Sequence, residues 1–411
     1  MTKTRAQRAP RAMLAARWTS AGLSLVSACL LTLATALPAS AFDTSARAAY
    51  VIDVTTGTVL LSKNADEPLP PASMSKLMTL YVAFEALKDG RLTLDEKLPV
   101  SSHAMSYGGS TMFLDTTDKV AVEDLLRGII VLSGNDACAV IAEALSPDGT
   151  EAGFARYMTQ RAQKMGLDHS TFQNSNGWPA EGHRMSVHDL ALLATHIIRD
   201  FPEYYPLFAE TEFAFDGRAP QNVHNRNPLL GMGIGADGLK TGHTSEAGYG
   251  LVGSAKQDDR RIVFAFTGLD STTARAEESR AIVNWAFRQF AEKQIATSGQ
   301  VITSAEVFMG ASPAVGLTPR EDLVTLLPVL VGDTLDAEVV YNGPIVAPVK
   351  AGDELAELIL KPEGLPETRV PLVAAADVAK GGFLVKLRTA SQHLMERFGG
   401  AAEPVPAADA S

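Results

Sequence analysis

The chain is poor in cysteine. Its 411 residues hold only Cys29 and Cys138, and Cys29 lies in an N-terminal segment that reads as a removable leader. An exported chain left with one cysteine forms no internal disulfide, so its stability has to come from packing. Cys138, beside Ala137, Val140 and Ile141 in an apolar helical stretch, reads as a buried small hydrophobe. Positive charge is also scarce. The formal net charge is −11, and losing Lys3, Arg5, Arg8, Arg11 and Arg17 with the leader makes the remainder more acidic. That excludes nucleic acid as a partner, since phosphate contacts need clustered Lys and Arg. His169, His183, His188 and His196 crowd one region, but no two of them stand at i, i+4 with an acid placed to complete a metal site, so no metal is expected. Internal repeats are absent.

Long apolar runs are confined to residues 21–37. The run follows the arginines of a basic leader and precedes Ala39-Ser40-Ala41, which predicts a signal peptide over 1–41. Lipoprotein processing at Cys29 is a competing reading, and an uncleaved anchor a third. The apolar run continues through Leu30, Leu31 and Leu33 beyond that cysteine, which favours cleavage after Ala41.

Past the leader, residues 49–54, the turn Thr56-Gly57 and residues 59–61 predict a hairpin. Pro70 and Pro71 open a helix in which Leu77, Leu80, Tyr81, Phe84 and Leu87 recur at helical spacing, with Gly90 placed to end it. A second helix over 122–132 runs into Ser133-Gly134-Asn135, and a third follows. Two strands, from Gly238 through 249–255 and at 261–267, flank the turn Gln257-Asp258-Asp259. A helix from about 275 to 292 turns Ile282, Trp285, Ala286 and Phe290 inward. Strands at both ends with helices between make residues 42–296 an α+β domain.

After Gln294 the texture changes to short β runs (323–331, 335–341, 354–360, 368–373) divided by Gly and Pro, a small all-β domain over 297–378. In 380–399, Phe383, Leu384, Leu387, Ala390, Leu394, Met395 and Phe398 fall on one arc of a helix. That stretch is too short and too charged to cross a bilayer. With Lys380, Lys386, Arg388 and Arg397 it predicts an amphipathic helix lying on a membrane surface through residues 383–398. The Ala/Pro-rich residues 400–411 read as a disordered tail.

Three short motifs carry chemistry: Ser73-Met74-Ser75-Lys76 at a helix start, Ser133-Gly134-Asn135 at a helix–helix corner, and Lys240-Thr241-Gly242 on a strand. Alone, each has a plain structural explanation, as a cap or a solvated lysine. Together they occur in the order and settings that one site requires, the signature set of penicillin-binding proteins and class A β-lactamases. With His243-Thr244, Ala247-Gly248-Tyr249, residues 172–177 and Arg275-Ala276-Glu277, the chain resembles low-molecular-mass penicillin-binding proteins over about 45–399. More narrowly it resembles the D-alanyl-D-alanine carboxypeptidases. The resemblance implies a β-lactamase/transpeptidase-like domain, an antiparallel sheet with helices, followed by the small all-β domain and the amphipathic helix.

A serine hydroxyl must lose its proton to attack a carbonyl, and a lysine takes that proton only when neutral, which burial and a second cation arrange. Ser73 is then the nucleophile, Lys76 the base and Lys240 the second cation. The N–H groups of Ser73 and His243 form an oxyanion hole, and Ser133 passes a proton to the leaving amine. The resemblance further implies that Asn135 holds the peptide amide while Thr241 and Arg275 hold the terminal carboxylate. It implies no cofactor, a peptidoglycan stem pentapeptide as substrate, β-lactams as covalent inhibitors, and a place on the periplasmic face of the inner membrane.

Three alternatives are open. A β-lactamase of this type places a deacylating glutamate, and no Glu-x-x-Leu-Asn stands between Ser133 and Lys240. Related endopeptidases carry a large insertion between the first two motifs, for which Ser73 to Ser133 leaves no room. A non-catalytic wall-binding protein would not need all three motifs intact. Two departures from the family pattern stand out: Gly134, where β-lactamases usually have Asp, and the Gly-rich lead-in at residues 231–235, expected to alter a loop at the site's edge.

Overall fold

The computed structural model describes residues 42–218, 221–329, 335–362 and 364–383. The predicted signal peptide, nearly all of the predicted membrane-surface helix and the predicted tail lie outside the described residues.

The predicted hairpin is present as β1 (Ala48–Asp53) and β2 (Thr58–Lys63). The chain then leaves for a helical layer: α1 (Lys76–Lys88), a short strand pair β3 (Lys97–Pro99) and β4 (Lys119–Ala121) around α2 (Ser102–Met105), α3 (Val122–Arg127), α4 (Asn135–Leu145), α5 (Glu151–Lys164) and α6 (Val187–Asp200). It returns as β5 (Ala236–Thr244), β6 (Gly248–Gln257) and β7 (Arg260–Leu269), then α7 (Thr272–Arg288). The sheet order is β2-β1-β7-β6-β5, so β1 from the start of the domain pairs antiparallel with β7 from its end, Val51 opposite Phe264.

Ile262-Val263-Phe264-Ala265-Phe266 on β7 reads as a continuous apolar run because both faces of the sheet are covered. Val263 and Ala265 face the helical layer with Leu77, Phe84 and Leu193. Ile262, Phe264 and Phe266 face Ile282, Val283 and Ala286 of α7. That is the period-2 alternation of a strand.

Helix α1 departs from the one-faced expectation. Residues 76–84 are all buried, so α1 is the central helix, surrounded by other elements, and an apolar stripe is not enough to describe it. Helix α7 stops at Arg288, short of the predicted 292. Phe290 instead opens strand β8 (Phe290–Ala296), which pairs with Pro328 of a later strand.

Downstream lie β9 (Thr303–Phe308), β10 (Ala314–Pro319), β11 (Leu323–Pro328), β12 (Asp336–Tyr341), β13 (Ile345–Val346), β14 (Glu354–Lys361) and β15 (Thr368–Ala374). They form a sheet of order β12-β14-β15-β10-β9-β13 and the pair β11-β8, packed around Ala305, Leu317, Leu358, Leu360 and Leu372. Pair β8–β11 is tied to the first hairpin. Leu326 lies in the same core as α7, and the Thr58 and Thr325 hydroxyls are 3.2 Å apart.

Strand β5 runs against the turn Ala72–Ser75 that precedes α1. A Cβ on Gly242 would lie 2.9 Å from Met74 Cγ and 3.0 Å from the Pro71 carbonyl, so only glycine permits this approach. Gly242→Val should therefore lower the unfolding free energy by about 1–3 kcal/mol through overpacking. Gly108→Ala, whose Cβ would meet nothing within 4 Å, should change it by less than about 0.5 kcal/mol. Urea denaturation of the two variants checks this, and equal stabilities would refute the close-approach argument.

Candidate active site

Pro71 leads into a single 3-10 turn, Ala72–Ser75, that continues as α1. Side chains three apart eclipse in such a turn, which brings Lys76 Nζ to 2.9 Å from Ser73 Oγ. Ser73 is part-exposed while Lys76 is fully buried. The other two neighbours of Nζ are Asn135 Oδ1 at 2.7 Å and the Asn176 carbonyl at 2.5 Å. Both of these oxygens only accept hydrogen bonds, whereas the serine hydroxyl can also donate. The set suits a neutral amine, with two N–H bonds to the carbonyls and a lone pair facing the Ser73 hydroxyl. Burial pushes the Lys76 pKa down to about 8, in the same direction.

The second motif sits at a deformed corner. Helix α3 ends in a π-helical turn over Gly128–Leu132, and Ser133 follows with φ +62°, a left-handed conformation that is costly for a residue with a Cβ. The Gly134 N–H closes the turn onto the Gly128 carbonyl at 2.9 Å. This geometry buries Ser133 and points its hydroxyl at Lys240 Nζ, 3.0 Å away on β5. A Cβ on Gly134 would stand 3.1 Å from Asp136 Oδ1 and 3.2 Å from Met112 Cγ, a tight fit that a side chain could enter only if those neighbours shifted. Asn135 is held by its N–H to the Ser110 carbonyl at 2.8 Å and its Nδ2 to the Gly108 carbonyl at 2.9 Å. The latter bond fixes its amide orientation, with Oδ1 turned to Lys76.

Along β5, Lys240 and Thr241 are buried and His243 is exposed. The His243 ring stacks on Tyr249 of β6 at 3.9 Å. On the same Tyr249 ring lies the Arg275 guanidinium, 5.7 Å from its centroid, and Arg275 Nε is buried without a partner. Burial, then the charges of Lys76, Arg226 and Arg275, drive the Lys240 pKa well below the ordinary lysine value.

Arg226 and Asn176 are absent from the sequence-based site. Arg226 donates to Ser110 Oγ at 2.7 Å and to the Leu132 carbonyl at 3.3 Å. Nothing in Asn225-Arg226-Asn227 marks it, because its neighbours come from distant segments. Asn176 contributes a backbone carbonyl, which no side-chain pattern reveals. The Gly-rich lead-in is placed differently from expectation. Gly235 bonds to Lys256 at the far end of β6, five residues before Lys240, roughly 16 Å along a strand.

The remaining titratable groups lie apart from this cluster or are inert. His188 pairs with Asp66 at 2.8 Å and His196 with Asp200 at 3.2 Å. Burial lowers the His183 pKa to about 4, and burial raises that of Cys138 to about 12. Among the described residues no three His, Cys, Asp or Glu converge as metal ligands.

A family profile described as D-alanyl-D-alanine carboxypeptidase matches residues 34–270, and the profile of the penicillin-binding protein 5 C-terminal domain matches 290–380. The chain is 35% identical over 347 residues to the D-alanyl-D-alanine carboxypeptidase DacC of Escherichia coli K12, covering 82% of this chain and 85% of that one. It is similar to the crystal structure of penicillin-binding protein 5 from Haemophilus influenzae, with a TM-score of 0.69 and 31% identity over 82% of this chain and 98% of that one. A third likeness is to penicillin-binding protein D2 of Listeria monocytogenes in its ampicillin-bound form, with a TM-score of 0.53 and 31% identity over 59% of this chain and 98% of that one. A profile that spans more than half the chain, carried on the same fold, is sufficient: the chain belongs to the D-alanyl-D-alanine carboxypeptidase family and is a serine-type enzyme of that activity.

Proposed function

We propose that the chain removes the terminal D-alanine of peptidoglycan stem peptides through an acyl-enzyme on Ser73. The observation that carries this reading is the 2.9 Å approach of Ser73 Oγ to the sealed Lys76 amine. Neutral Lys76 takes the Ser73 proton as Oγ attacks the penultimate D-alanine carbonyl. The N–H groups of Ser73 and His243 receive the oxyanion. Collapse breaks the peptide bond, the leaving amine takes a proton from Ser133, which Lys240 supports at 3.0 Å, and the proton held by Lys76 replaces the one Ser133 gave, so Lys76 is again a neutral amine for the next step. Water then hydrolyses the ester, releasing the shortened peptide and restoring Ser73.

Asn135 Nδ2 uses one hydrogen on Gly108 and has a second for the substrate amide carbonyl. Thr241 and Arg275 take the terminal carboxylate, whose charge suits a guanidinium. We assign this chemistry to a domain over 42–296, followed by a β-rich unit over 297–378 that is joined to it through the β8–β11 pair. Export follows from residues 1–41, and residues 383–398 hold the enzyme at the periplasmic membrane surface. Among the described residues no helix is long and apolar enough to cross a membrane.

β-Lactams present the same carbonyl, and the ampicillin-bound relative supports extending that chemistry to Ser73. Treatment with penicillin should raise the intact mass by one ligand, carried on the peptide containing Ser73, and the adduct should persist. Ser73→Ala should abolish labelling. The same protein given a stem pentapeptide should yield the tetrapeptide and free D-alanine by mass. Labelling unchanged in Ser73→Ala would remove Ser73 from the reaction.

Because an ammonium cannot accept a proton, acylation should rise with pH through about 8, the value to which burial lowers Lys76. Lys76→Arg keeps the charge but cannot deprotonate and should lose about 10²- to 10⁴-fold. Lys240→Arg should lose less, since it preserves the cation. A pH–rate profile of acylation for the three proteins decides, and an active Lys76→Arg would assign the base elsewhere.

Truncation before Gly381 should leave acylation intact while releasing the protein from anionic liposomes in a flotation assay. Equal flotation of both forms would make residues 383–398 a packing element.

A further inference from the structure

Behind the Ser73–Lys76 pair lies a buried carboxylate that the reaction above does not use. Glu151 opens α5 and is 6% exposed. Its Oε1 accepts the Ser175 N–H at 2.9 Å and the Ser175 hydroxyl at 2.5 Å. Its Oε2 accepts the Tyr107 hydroxyl at 2.7 Å and lies 2.7 Å from His103 Nε2. Burial raises the carboxyl pKa, but the bonds from Ser175, Tyr107 and His103 outweigh it and leave it below the ordinary value. Glu151 is therefore an anion, saturated by its own neighbours and not available to activate water.

Those neighbours belong to the two loops that touch the reacting groups. Ser175 precedes Asn176, whose carbonyl bonds Lys76 Nζ at 2.5 Å, and its own carbonyl is held by the Thr79 hydroxyl on α1 at 2.5 Å. Tyr107 precedes Gly108, whose carbonyl fixes the Asn135 amide at 2.9 Å. One carboxylate thus holds both loops, one oxygen to each, and each loop lends its next residue's carbonyl to the site.

We propose that Glu151 is a positioning residue for acylation: its carboxylate clamps residues 107–108 and 175–176 so that their carbonyls orient Asn135 and Lys76. The inference rests on Lys76 being the base of Ser73. The titratable groups facing Glu151 are His103 on α2, Tyr107 beyond it, Lys76 on α1, Cys138 on α4 and His183 in the following loop. Tyr107 and His103 touch the carboxylate, while Lys76, the base, feels it through its charge alone, which favours the protonated form after burial and nearer charges have acted.

The test is β-lactam acylation followed against pH for the wild type, Glu151→Gln and Tyr107→Phe. Glu151→Gln removes the charge and weakens the clamp. It should slow acylation about 10- to 100-fold, the cost of a misplacement near 1 Å, and shift its acid limb to lower pH. Tyr107→Phe frees one loop but keeps the anion, so it should slow acylation several-fold with the limb unmoved. Wild-type rates and an unmoved limb in Glu151→Gln would overturn the proposal while leaving the Ser73 reading intact. If Glu151→Gln does not fold, Tyr107→Phe decides alone, a wild-type rate counting against the clamp. Wild-type labelling that survives Ser73→Ala would instead reject the underlying reading, a result separate from either variant.

Discussion

The site depends on one costly arrangement, a lysine amine sealed from water at the start of the central helix. Moving the Lys76 pKa from 10.5 to about 8 corresponds to about 3 kcal/mol of lost preference for the ammonium. The sign follows from proton counts. Between about 8 and 10.5 the unfolded chain binds the proton that the folded chain has lost, so stability rises with pH across that window. Below it the folded protein carries the full cost of a buried charge. The all-round burial of α1 is what imposes that cost, and it is also what leaves the amine without its proton at a pH where a solvated lysine would keep it, the state in which it can accept one.

Three separate segments share the work of making that amine tolerable. Asn135 Oδ1 reaches it from the helix corner, the Asn176 carbonyl from the loop after α5, and Ser73 from the turn before α1. Only the Ser73 contact follows from the local turn. The corner depends on a left-handed Ser133 and a glycine packed against Met112 and Asp136. The loop depends on Gly177, where a Cβ would fall 1.9 Å from the Ala72 carbonyl. Side-chain groups two to four residues apart also brace it, as in Asn174 Oδ1 accepting from the Gly177 N–H at 2.8 Å. Buried polar networks of this kind are stable only when every member is satisfied.

What was legible in the sequence follows from this. Ser73 and Lys76 share a turn, and Lys240 with Thr241 share a strand, so spacing alone pairs them. The hairpin, β7 and four of the later strands carried period-2 or continuous apolar runs, whereas the stretch from Gly238 through 255, read as one strand, folds as the antiparallel pair β5 and β6. Strands β9 and β10 escaped notice because Ser304, Ala305 and Gly316 dilute the alternation with small residues of low strand preference. Arg226, Asn176 and Glu151 were invisible for a different reason. Their partners lie dozens of residues away in sequence, and Asn176 acts through its backbone. The lead-in at 231–235 was misplaced because nearness in sequence to Lys240 becomes distance in space along an extended strand.

Charge balance completes the picture. Lys76, Lys240, Arg226 and Arg275 each have a lowered pKa, burial being the first cause in every case. Arg275 Nε has no partner at all among the described residues. These buried basic groups outnumber the already saturated carboxylates of Asp136 and Glu151, so the empty site is short of negative charge. On the proposed reading, the substrate's terminal carboxylate supplies it. Its arrival beside Thr241 and Arg275 would favour the protonated form of Lys240, which lies in the same strand. Lys240 could then hold a proton for the Ser133 relay while Lys76, facing the serine and two carbonyls, stays neutral. The two lysines are thus distinguished less by depth than by what they face. Lys76 looks at two carbonyls and the Ser73 hydroxyl, and Lys240 at the Ser133 hydroxyl and the Thr241 carbonyl.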